Sequence, residues 1–209
     1  MEVLRVKLRS LTSTFRYHTF QSGQQPTLPM PPISTLVGLL SAAKGDIVSI
    51  DQIDFLGYIF FTKGNGTDLE KTYYLGGDKQ DILKKDFLVD NTLYLYLPLS
   101  WENYLKNPKY QLLLGRSSDL AYIDEIKKVN LDKKSNVQIS NTIVPLGTIN
   151  AFGTLQPMPI EFNYSQTPRR VKKLKPFILV SQGFNYPNEA FYDPELDIGV
   201  WIYEKEYLS

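Results

Sequence analysis

The stretch Pro-Pro-Ile-Ser-Thr-Leu-Val-Gly-Leu-Leu-Ser-Ala-Ala, residues 31–43, predicts the first helix of the chain. Ser34 is a suitable N-cap, residues 36–40 supply a buried side, and Gly45 is a typical helix terminator. Gly38 and Ala42 lie four residues apart, so they leave one face of the helix small. Such a face allows close approach of a strand or of an RNA backbone, and helix–sheet packing is the commoner reason for it.

A strand pattern and a long loop precede this helix. Apolar and basic side chains alternate over residues 3–10, and a period of two is typical of a strand with one apolar and one basic face. The cations are Arg5, Lys7 and Arg9. They could form an ordinary solvated face or a surface that holds phosphates. The proline-rich residues 10–32 form a loop too long to be a mere connection, which favours a functional role.

The rest of the chain is rich in strand patterns. Residues 53–62 are apolar on both faces, as in a central strand, and Gly64-Asn65-Gly66 predicts a hairpin turn with a return strand over residues 69–75. Residues 119–129 fit a helix or a strand, and Ser100 is a suitable cap for a short helix. Further strands are predicted over residues 92–97, 110–114, 137–144, 158–164, 177–181 and 199–203. We therefore predict one α+β domain, residues 1–209.

Composition restricts the chemistry. The chain has 209 residues, no cysteine, one histidine and a net charge of +1. It therefore lacks thiolate nucleophiles and cysteine zinc sites, and no spaced acidic motif indicates a metal, so we expect neither metal nor cofactor. Nucleic acid would have to bind to a local basic surface or within an assembly. No signal-peptide core or membrane-spanning stretch is evident, so we expect a cytoplasmic protein without a membrane partner.

Aromatic and cationic side chains follow the first strand. Phe15, Arg16, Tyr17 and His18 could stack on unpaired bases, which contributes ~1–3 kcal/mol per base. The backbone N–H groups at the predicted helix start could bind a phosphate. Other candidate phosphate ligands are Arg5, Lys7, Arg9 and the dense basic cluster Arg169, Arg170, Lys172 and Lys173. Together these features favour RNA over a small metabolite.

His18 also permits a catalytic hypothesis. In metal-independent RNA cleavage the ribose 2′-hydroxyl attacks its own phosphate, so the protein supplies only an acid, a base and cations. His18 and Tyr17 could supply them with a nearby cation, because histidine titrates near neutrality. A single histidine in an aromatic loop is more often structural or a stacking residue. We therefore expect a protein that is not an enzyme, with a metal-independent endoribonuclease as the alternative.

Two motifs, in this order along the chain, carry a family resemblance. The first is residues 31–43, preceded by a strand, Thr14-Phe15-Arg16 and a proline-rich loop. The second is Leu-Leu-Gly-Arg-Ser-Ser-Asp-Leu-Ala, residues 113–121. The chain resembles the fifth CRISPR-associated (Cas) protein family, which binds the 5′ handle of crRNA in type I Cascade complexes, here of a type I-B-like kind. Size and motif order match over nearly the whole chain, although the last third carries no motif of its own.

The resemblance implies a ferredoxin-like, RNA-recognition-motif-like core with an inserted β-hairpin thumb and a β-rich C-terminal part. The thumb would lie within residues 63–97. Gly38 would serve close helix–sheet packing, and Arg116 would contact the handle or form a buried ion pair. The residues that would face RNA are Phe15, Arg16, Ser34, Thr35, Lys71, Lys84, Lys85, Arg116 and Ser117.

The resemblance also implies a role and partners. The protein would be a non-catalytic subunit that caps the crRNA 5′ handle and supports antiviral defence. It would contact the Cascade backbone subunit and large subunit, and reach target DNA indirectly through the complex. One branch of the family is itself the endonuclease that processes pre-crRNA, but beyond His18 its pattern is not matched here. A third hypothesis is a scaffold whose basic face meets acidic protein partners only.

Overall fold

The computed structural model describes residues 1–17, 24–73, 80–165, 167 and 170–208. These residues form a mixed α+β fold with three sheets and few helices. The helices are α1 (Ile33–Lys44), α2 (Glu102–Lys106) and α3 (Lys205–Leu208), with short 3₁₀ turns at Ile50–Gln52 and Leu99–Trp101. The strands are β1 (Glu2–Ser13), β2 (Gln24–Gln25), β3 (Phe55–Phe61), β4 (Gly64–Tyr73), β5 (Gln80–Leu97), β6 (Ala121–Asn130), β7 (Asp132–Lys134), β8 (Val137–Ile139), β9 (Thr142–Pro145), β10 (Thr154–Asn163), β11 (Arg170–Val180), β12 (Phe184–Tyr186), β13 (Ala190–Asp193), β14 (Ile198–Val200) and β15 (Ile202–Glu204).

The main sheet has the strand order β15-β3-β5-β1-β6, and all of these neighbours are antiparallel. The predicted alternation of β1 is confirmed, since Leu4, Val6 and Leu8 are fully buried in the main core. The buried side of α1 packs into the same core. Burial of these apolar side chains is the main source of stability for the layer of helix on sheet.

Helix α1 ends as predicted but begins two residues earlier than it would with Ser34 as its N-cap. Gly45 closes the helix in the left-handed conformation, with φ 84°, and its N–H donates to the carbonyl of Ser41. Pro32 holds the N-cap position in an extended conformation and makes no side-chain capping bond. Ser34 is therefore inside the first turn, and its prediction as the cap is wrong. The fixed φ of Pro32 suits this entry, since proline has no N–H that needs a partner.

Strands β3 and β4 pair with successive parts of β5. Phe61 lies opposite Thr92 and Gly64 lies opposite Val89, so the chain continues along the same partner. The predicted turn at Gly64-Asn65-Gly66 is therefore wrong. A β-carbon at Gly66 would approach the Phe87 ring to 2.7 Å, so this glycine makes room for a cross-strand ring. Strands β4 and β5 form a hairpin, and its connection at residues 74–79 lies outside the described residues.

One undecided segment is now assigned, and two predicted strands differ from the structure. The undecided residues 119–129 form a strand, β6. Residues 110–114 do not form a strand, because their only ladder contact is an isolated bridge from Leu113 to Leu120. Residues 137–144 divide into β8 and β9, which join different sheets. Asn141 lies between these two strands in the left-handed conformation, with φ 53°, and turns the chain there.

The C-terminal half packs on both faces of the main sheet. Strands β10, β11 and β9 form a sheet whose buried side chains join the core around α1, while β12, β8, β14, β13 and β7 form a second sheet. Val200, from that second sheet, packs with Val3, Ile59 and Tyr96 from the opposite face of the main sheet. In the described part of the chain, no helix is long and apolar enough to cross a membrane.

Asp193 joins the second sheet to the main sheet. Its fully buried carboxylate accepts hydrogen bonds from Arg5 Nη1 at 2.8 Å, from the Tyr96 hydroxyl at 2.9 Å and from the backbone N–H of Glu195 at 3.0 Å. Burial and the charge of Asp193 raise the pKa of the Tyr96 hydroxyl, so it remains a donor. A charge removed from water is tolerated here because every side of it is hydrogen-bonded.

We expect Asp193→Ala to lower the free energy of unfolding by ~3–5 kcal/mol, because Arg5 would remain buried without its innermost partner. Urea denaturation followed by circular dichroism measures the change. Asp124→Ala is the matched control, since Asp124 pairs with Lys7 on the surface and its loss should matter little. Equal effects of the two substitutions would show that Asp193 is not a structural junction.

Candidate nucleic-acid interface

A cleft of about 720 Å³ opens where the end of β1, the start of α1, the β4–β5 hairpin and the segment 115–118 meet. Strands β10 and β11 supply its remaining wall. These segments are distant in sequence, and only the fold brings them together. The predicted site residues that line the cleft are Phe15, Arg16, Tyr17, Ser34, Thr35, Lys85, Arg116 and Ser117.

The turn at residues 115–119 shapes one wall of the cleft. Asp119 is fully buried and accepts hydrogen bonds from the Thr12 hydroxyl and from the backbone N–H of Arg116, each at 2.8 Å. Gly115 has φ 133°, and a β-carbon there would lie 2.3 Å from the Thr14 carbonyl oxygen. Only glycine therefore lets the turn lie against the end of β1. Asp119 was missed by the sequence analysis although it lies within the second motif.

Arg116 combines the two roles that the sequence left open. Its Nε lies 3.6 Å from Asp119 Oδ2, and 18% of its side chain is exposed. The same side chain lines the cleft beside Ser117. Asp119 therefore holds the guanidinium in a defined place, and Arg116 keeps donors that can meet a ligand in the cleft.

The start of α1 forms another part of the wall. The Tyr58 hydroxyl, in strand β3, donates to the Pro31 carbonyl at 2.8 Å and fixes the Pro-Pro segment on the sheet. Thr35 donates its N–H to Pro32, and Ser34 is buried within the first turn. The positive end of the helix dipole therefore faces the cleft, which favours an anionic ligand there.

The loop after β1 divides its aromatic and cationic residues between core and cleft. Phe15 is only 1% exposed and packs edge-to-face on Phe60, with ring centroids 5.4 Å apart. Its prediction as a base-stacking residue is wrong, because the bridge from Arg16 to Thr27 turns Phe15 inward. Arg16 is exposed at the cleft, and no carboxylate of the described residues lies within ion-pair distance of it. Tyr17 is half-buried there, and His18 lies outside the described residues.

The basic face of β1 is neutralised by carboxylates. Arg5 is only 4% exposed and is held by Asp193 and Glu195, so its prediction as a phosphate ligand is wrong. Lys7 lies 2.6 Å from Asp124, and this hydrogen bond raises the pKa of Lys7 and lowers that of Asp124. Arg9 pairs with Asp90 at 3.7 Å. This face therefore forms ion pairs within the protein, and it lies outside the cleft.

The basic cluster on β11 is similarly divided. Lys172 pairs with Glu161 at 3.0 Å, and Lys173 donates to the carbonyl of Leu208 at the end of α3 at 3.1 Å. Arg170 is exposed at the start of β11, and Arg169 lies outside the described residues. A cation at a helix C-terminus is a common structural arrangement. The cluster therefore does not present one continuous basic surface.

The lysines of the hairpin lie on different faces. Lys85 lines the cleft in an ion pair with Glu70. Lys71 and Lys84 are exposed outside the cleft lining, and Lys71 lies 5.1 Å from the centre of the Tyr73 ring. Directly opposed residues of an antiparallel pair share a face, which places Leu69 and Ile82 beside these two lysines. One face of the hairpin is therefore apolar and basic, while its other face turns acidic groups toward the cleft.

A groove of about 250 Å³ beside α1 continues the cleft. Gly38 lies on it, and a β-carbon at Gly38 would meet no heavy atom within 4 Å. The expectation that Gly38 serves close helix–sheet packing is therefore wrong. Glycine inside a helix costs about 1 kcal/mol relative to alanine. Packing within the described residues gives no reason for that cost.

A run of exposed apolar side chains lies outside the lining of the cleft. Its exposed side chains are Leu146, Ile149, Phe152 and Leu155. They belong to a sequence stretch, residues 135–160, without a single charged side chain, in a chain that is 22% charged. Exposed apolar side chains grouped in this way are typical of protein–protein contacts. The charge-free stretch was visible in the sequence, but its exposure was not.

Metal ligands are not grouped in the described residues, where no cluster of three or more His, Cys, Asp or Glu side chains could hold an ion. Neither a protein-family model nor a curated protein sequence matches the chain. Solved structures do share its fold, as follows.

A chain of a CRISPR RNA-guided surveillance complex superposes with a TM-score of 0.59 at 15% identity, covering 90% of this chain and 91% of that one. A CRISPR protein from Archaeoglobus fulgidus has a TM-score of 0.53 at 12% identity, covering 98% and 100%. A chain of a type III-B Cmr-beta complex bound to cognate target RNA and AMPPnP has a TM-score of 0.59 at 10% identity, covering 89% and 86%. The protein thus has the fold of CRISPR proteins over nearly its whole length.

We expect Gly115→Ala to destabilise the protein by ~2–4 kcal/mol, because the added methyl group meets the backbone of Thr14 and alanine resists this φ. Thermal unfolding measures the loss. Gly64→Ala is the control, since a β-carbon there meets nothing within 4 Å and the change should stay within about 0.5 kcal/mol. A silent Gly115→Ala would mean that the turn does not depend on glycine.

Proposed function

We propose that this protein is a non-catalytic subunit of a CRISPR effector complex that binds the 5′ handle of crRNA in the cleft. One observation carries the proposal: Arg16, Arg116 and the start of α1 converge on a single cleft at the base of a hairpin. The fold that places them there is shared with chains of RNA-guided CRISPR complexes. The motif resemblance to the fifth Cas family, type I-B-like, agrees with this proposal.

The distribution of charge indicates the side on which the RNA backbone runs. The hairpin wall carries Asp68 and Glu70, of which Glu70 pairs with Lys85. The cleft lining also carries Arg16 and Arg116, together with the start of α1. Phosphates are therefore expected beside these arginines and away from the acidic groups of the hairpin. A bent single strand fits such a short path better than a duplex does.

The topology supports a ferredoxin-like core. The order β6-β1-β5-β3 contains the β-α-β-β-α-β sequence of elements, with α1 between β1 and β3 and α2 between β5 and β6. The β4–β5 hairpin is then an insertion between the second and third core strands, in the place of the thumb. Its apolar and basic face carries Leu69, Lys71, Tyr73, Ile82 and Lys84, which suits contact with bases and phosphates of a guide.

The kind of cation in the cleft supports binding without catalysis. Guanidinium groups hold phosphates through several fixed donors and are poor proton-transfer groups, and Arg16 and Arg116 supply them here. Tyr17 lines the cleft in contact with the core. We therefore propose a role in positioning the guide for antiviral defence in the cytoplasm, with target DNA reached through the complex.

The apolar surface around Phe152 is proposed as the contact with a neighbouring subunit. A charge-free surface suits a protein partner, because RNA would demand cations. The backbone and large subunits of the complex are the partners that the resemblance implies. The side chains of this surface do not line the cleft, although strand β10 contributes to both, so protein and RNA could bind at the same time.

We expect Arg16→Gln and Arg116→Gln each to weaken binding of single-stranded CRISPR repeat RNA about tenfold, since a charge-assisted hydrogen bond contributes ~1.5 kcal/mol or more. Each loss should lower the salt dependence of log K by ~0.7 per phosphate contact. Fluorescence anisotropy with labelled RNA measures both. Lys133→Gln, on β7, removes a charge away from the cleft and should bind as the unaltered protein does.

The same incubation, run in EDTA and analysed on a denaturing gel, separates the competing functions. Intact RNA in a shifted complex supports binding without catalysis. Cleavage that persists in EDTA and is abolished by His18→Ala would establish the endoribonuclease in its place. Absence of binding even at low salt would favour the scaffold that contacts proteins alone.

We expect Phe152→Asp to abolish co-purification with the partner subunits and to leave RNA affinity unchanged. A carboxylate at the centre of an apolar contact is desolvated without a partner, which disfavours association. Affinity capture of the tagged protein from cells that express the complex measures this. Tyr104→Asp, at another exposed aromatic position, is the control. Equal recovery of partners with both variants would contradict a contact at Phe152.

A further inference from the structure

The groove beside α1 is not used by a backbone that runs along Arg16 and Arg116. It opens from the cleft, because Ser34, Thr35, Gly115 and Phe162 line both. An RNA strand held in the cleft therefore passes the mouth of the groove. A side pocket at that place can receive a base, because the bases project from the RNA backbone.

The shape of the groove is that of a slot. Its floor is the helix at Gly38, where no side chain fills the space and a β-carbon would touch nothing within 4 Å. Phe162 and the exposed Tyr164 line it as well. Aromatic rings beside an open stretch of helix suit a flat, unpaired base, which gains by stacking.

Gln111 adds one polar group to the slot. Its Nε2 donates to the carbonyl oxygens of Leu112 at 3.3 Å and Ala121 at 3.2 Å. Both partners are acceptors, so the NH₂ group of the amide must face them. Its Oε1 is then the group that can accept a hydrogen bond from a ligand in the groove. An acceptor suits a base with an amino group and does not suit a phosphate.

We propose that the groove over Gly38 receives one unpaired base of the bound RNA, and that Gln111 Oε1 accepts a hydrogen bond from an N–H group of that base. The inference rests on the proposed function and adds a base-reading position to a cleft that otherwise holds the backbone. It also gives Gly38 a role, since any larger side chain would fill the slot.

The test uses the full chain and labelled repeat RNA, together with copies of that RNA that carry one abasic nucleotide at each handle position in turn. Gly38→Leu places a side chain in the groove, where a β-carbon meets no heavy atom within 4 Å, and increases helix propensity, so its thermal midpoint should equal or exceed that of the unaltered protein. We expect it to bind intact RNA about tenfold more weakly, Gly38→Ala to show a smaller loss, and Lys133→Gln to show none.

The abasic series identifies the base. One abasic position should weaken binding by the unaltered protein about tenfold and cause no further loss in Gly38→Leu, because both changes remove the same contact. Gln111→Ala should weaken binding of the intact RNA about fivefold and cause no further loss on the RNA that lacks this base.

Other outcomes overturn the inference. If Gly38→Leu binds every RNA as tightly as the unaltered protein, the groove is not occupied. If its loss adds to that of every abasic position, the base lies elsewhere. If the groove variants fail these tests while Arg16→Gln and Arg116→Gln still weaken binding, the base pocket is refuted and RNA binding in the cleft is retained. If the unaltered protein does not bind repeat RNA, both proposals fail.

Discussion

The backbone pairing along β5 is the interaction on which the rest of the structure depends. This strand of 18 residues pairs with β1 and β3 in the main sheet and then with β4 in the hairpin. Sheet and hairpin are therefore one continuous ladder, and its hairpin part lines the cleft through Asp68, Glu70 and Lys85. Asp90 marks that change, with φ 50° and ion pairs to Lys63 and Arg9. A left-handed residue between two paired segments redirects a strand without ending it.

Local patterns in the sequence predicted the elements that depend on neighbours along the chain. The alternation of β1, the apolar run of β3 and the glycine at the end of α1 were sufficient for those elements. The turn at Gly64-Asn65-Gly66 was mispredicted because a glycine also serves where a cross-strand ring comes close, as Phe87 does at Gly66. Sequence spacing does not distinguish these two uses, since the partner lies far along the chain.

The candidate site was predictable in composition but not in geometry. The two motifs, together with Thr14-Phe15-Arg16 before the first one, contain most of the residues that line the cleft, including Arg16 and Arg116. Phe15 and Arg5 were misassigned because burial is decided by the sheet that covers them, and an aromatic or a cation looks the same in sequence when buried or exposed. Asp119 went unnoticed because its role is to hold other residues, by bonds to Thr12 and Arg116.

The pairing of charges determines which cations of this nearly neutral protein remain for the RNA binding that we propose. Lys7, Arg9 and Lys172 each have a carboxylate partner, and Arg5 is enclosed. Such pairs stabilise the fold modestly, and they leave fewer unpaired cations on the surface for a polyanion to bind. Within the cleft, the cations that remain for the proposed RNA ligand are Arg16 and Arg116, which the fold positions. Recognition in this arrangement depends on the shape of the cleft more than on a general attraction for phosphate, which suits a subunit that holds one defined segment of a guide within an assembly.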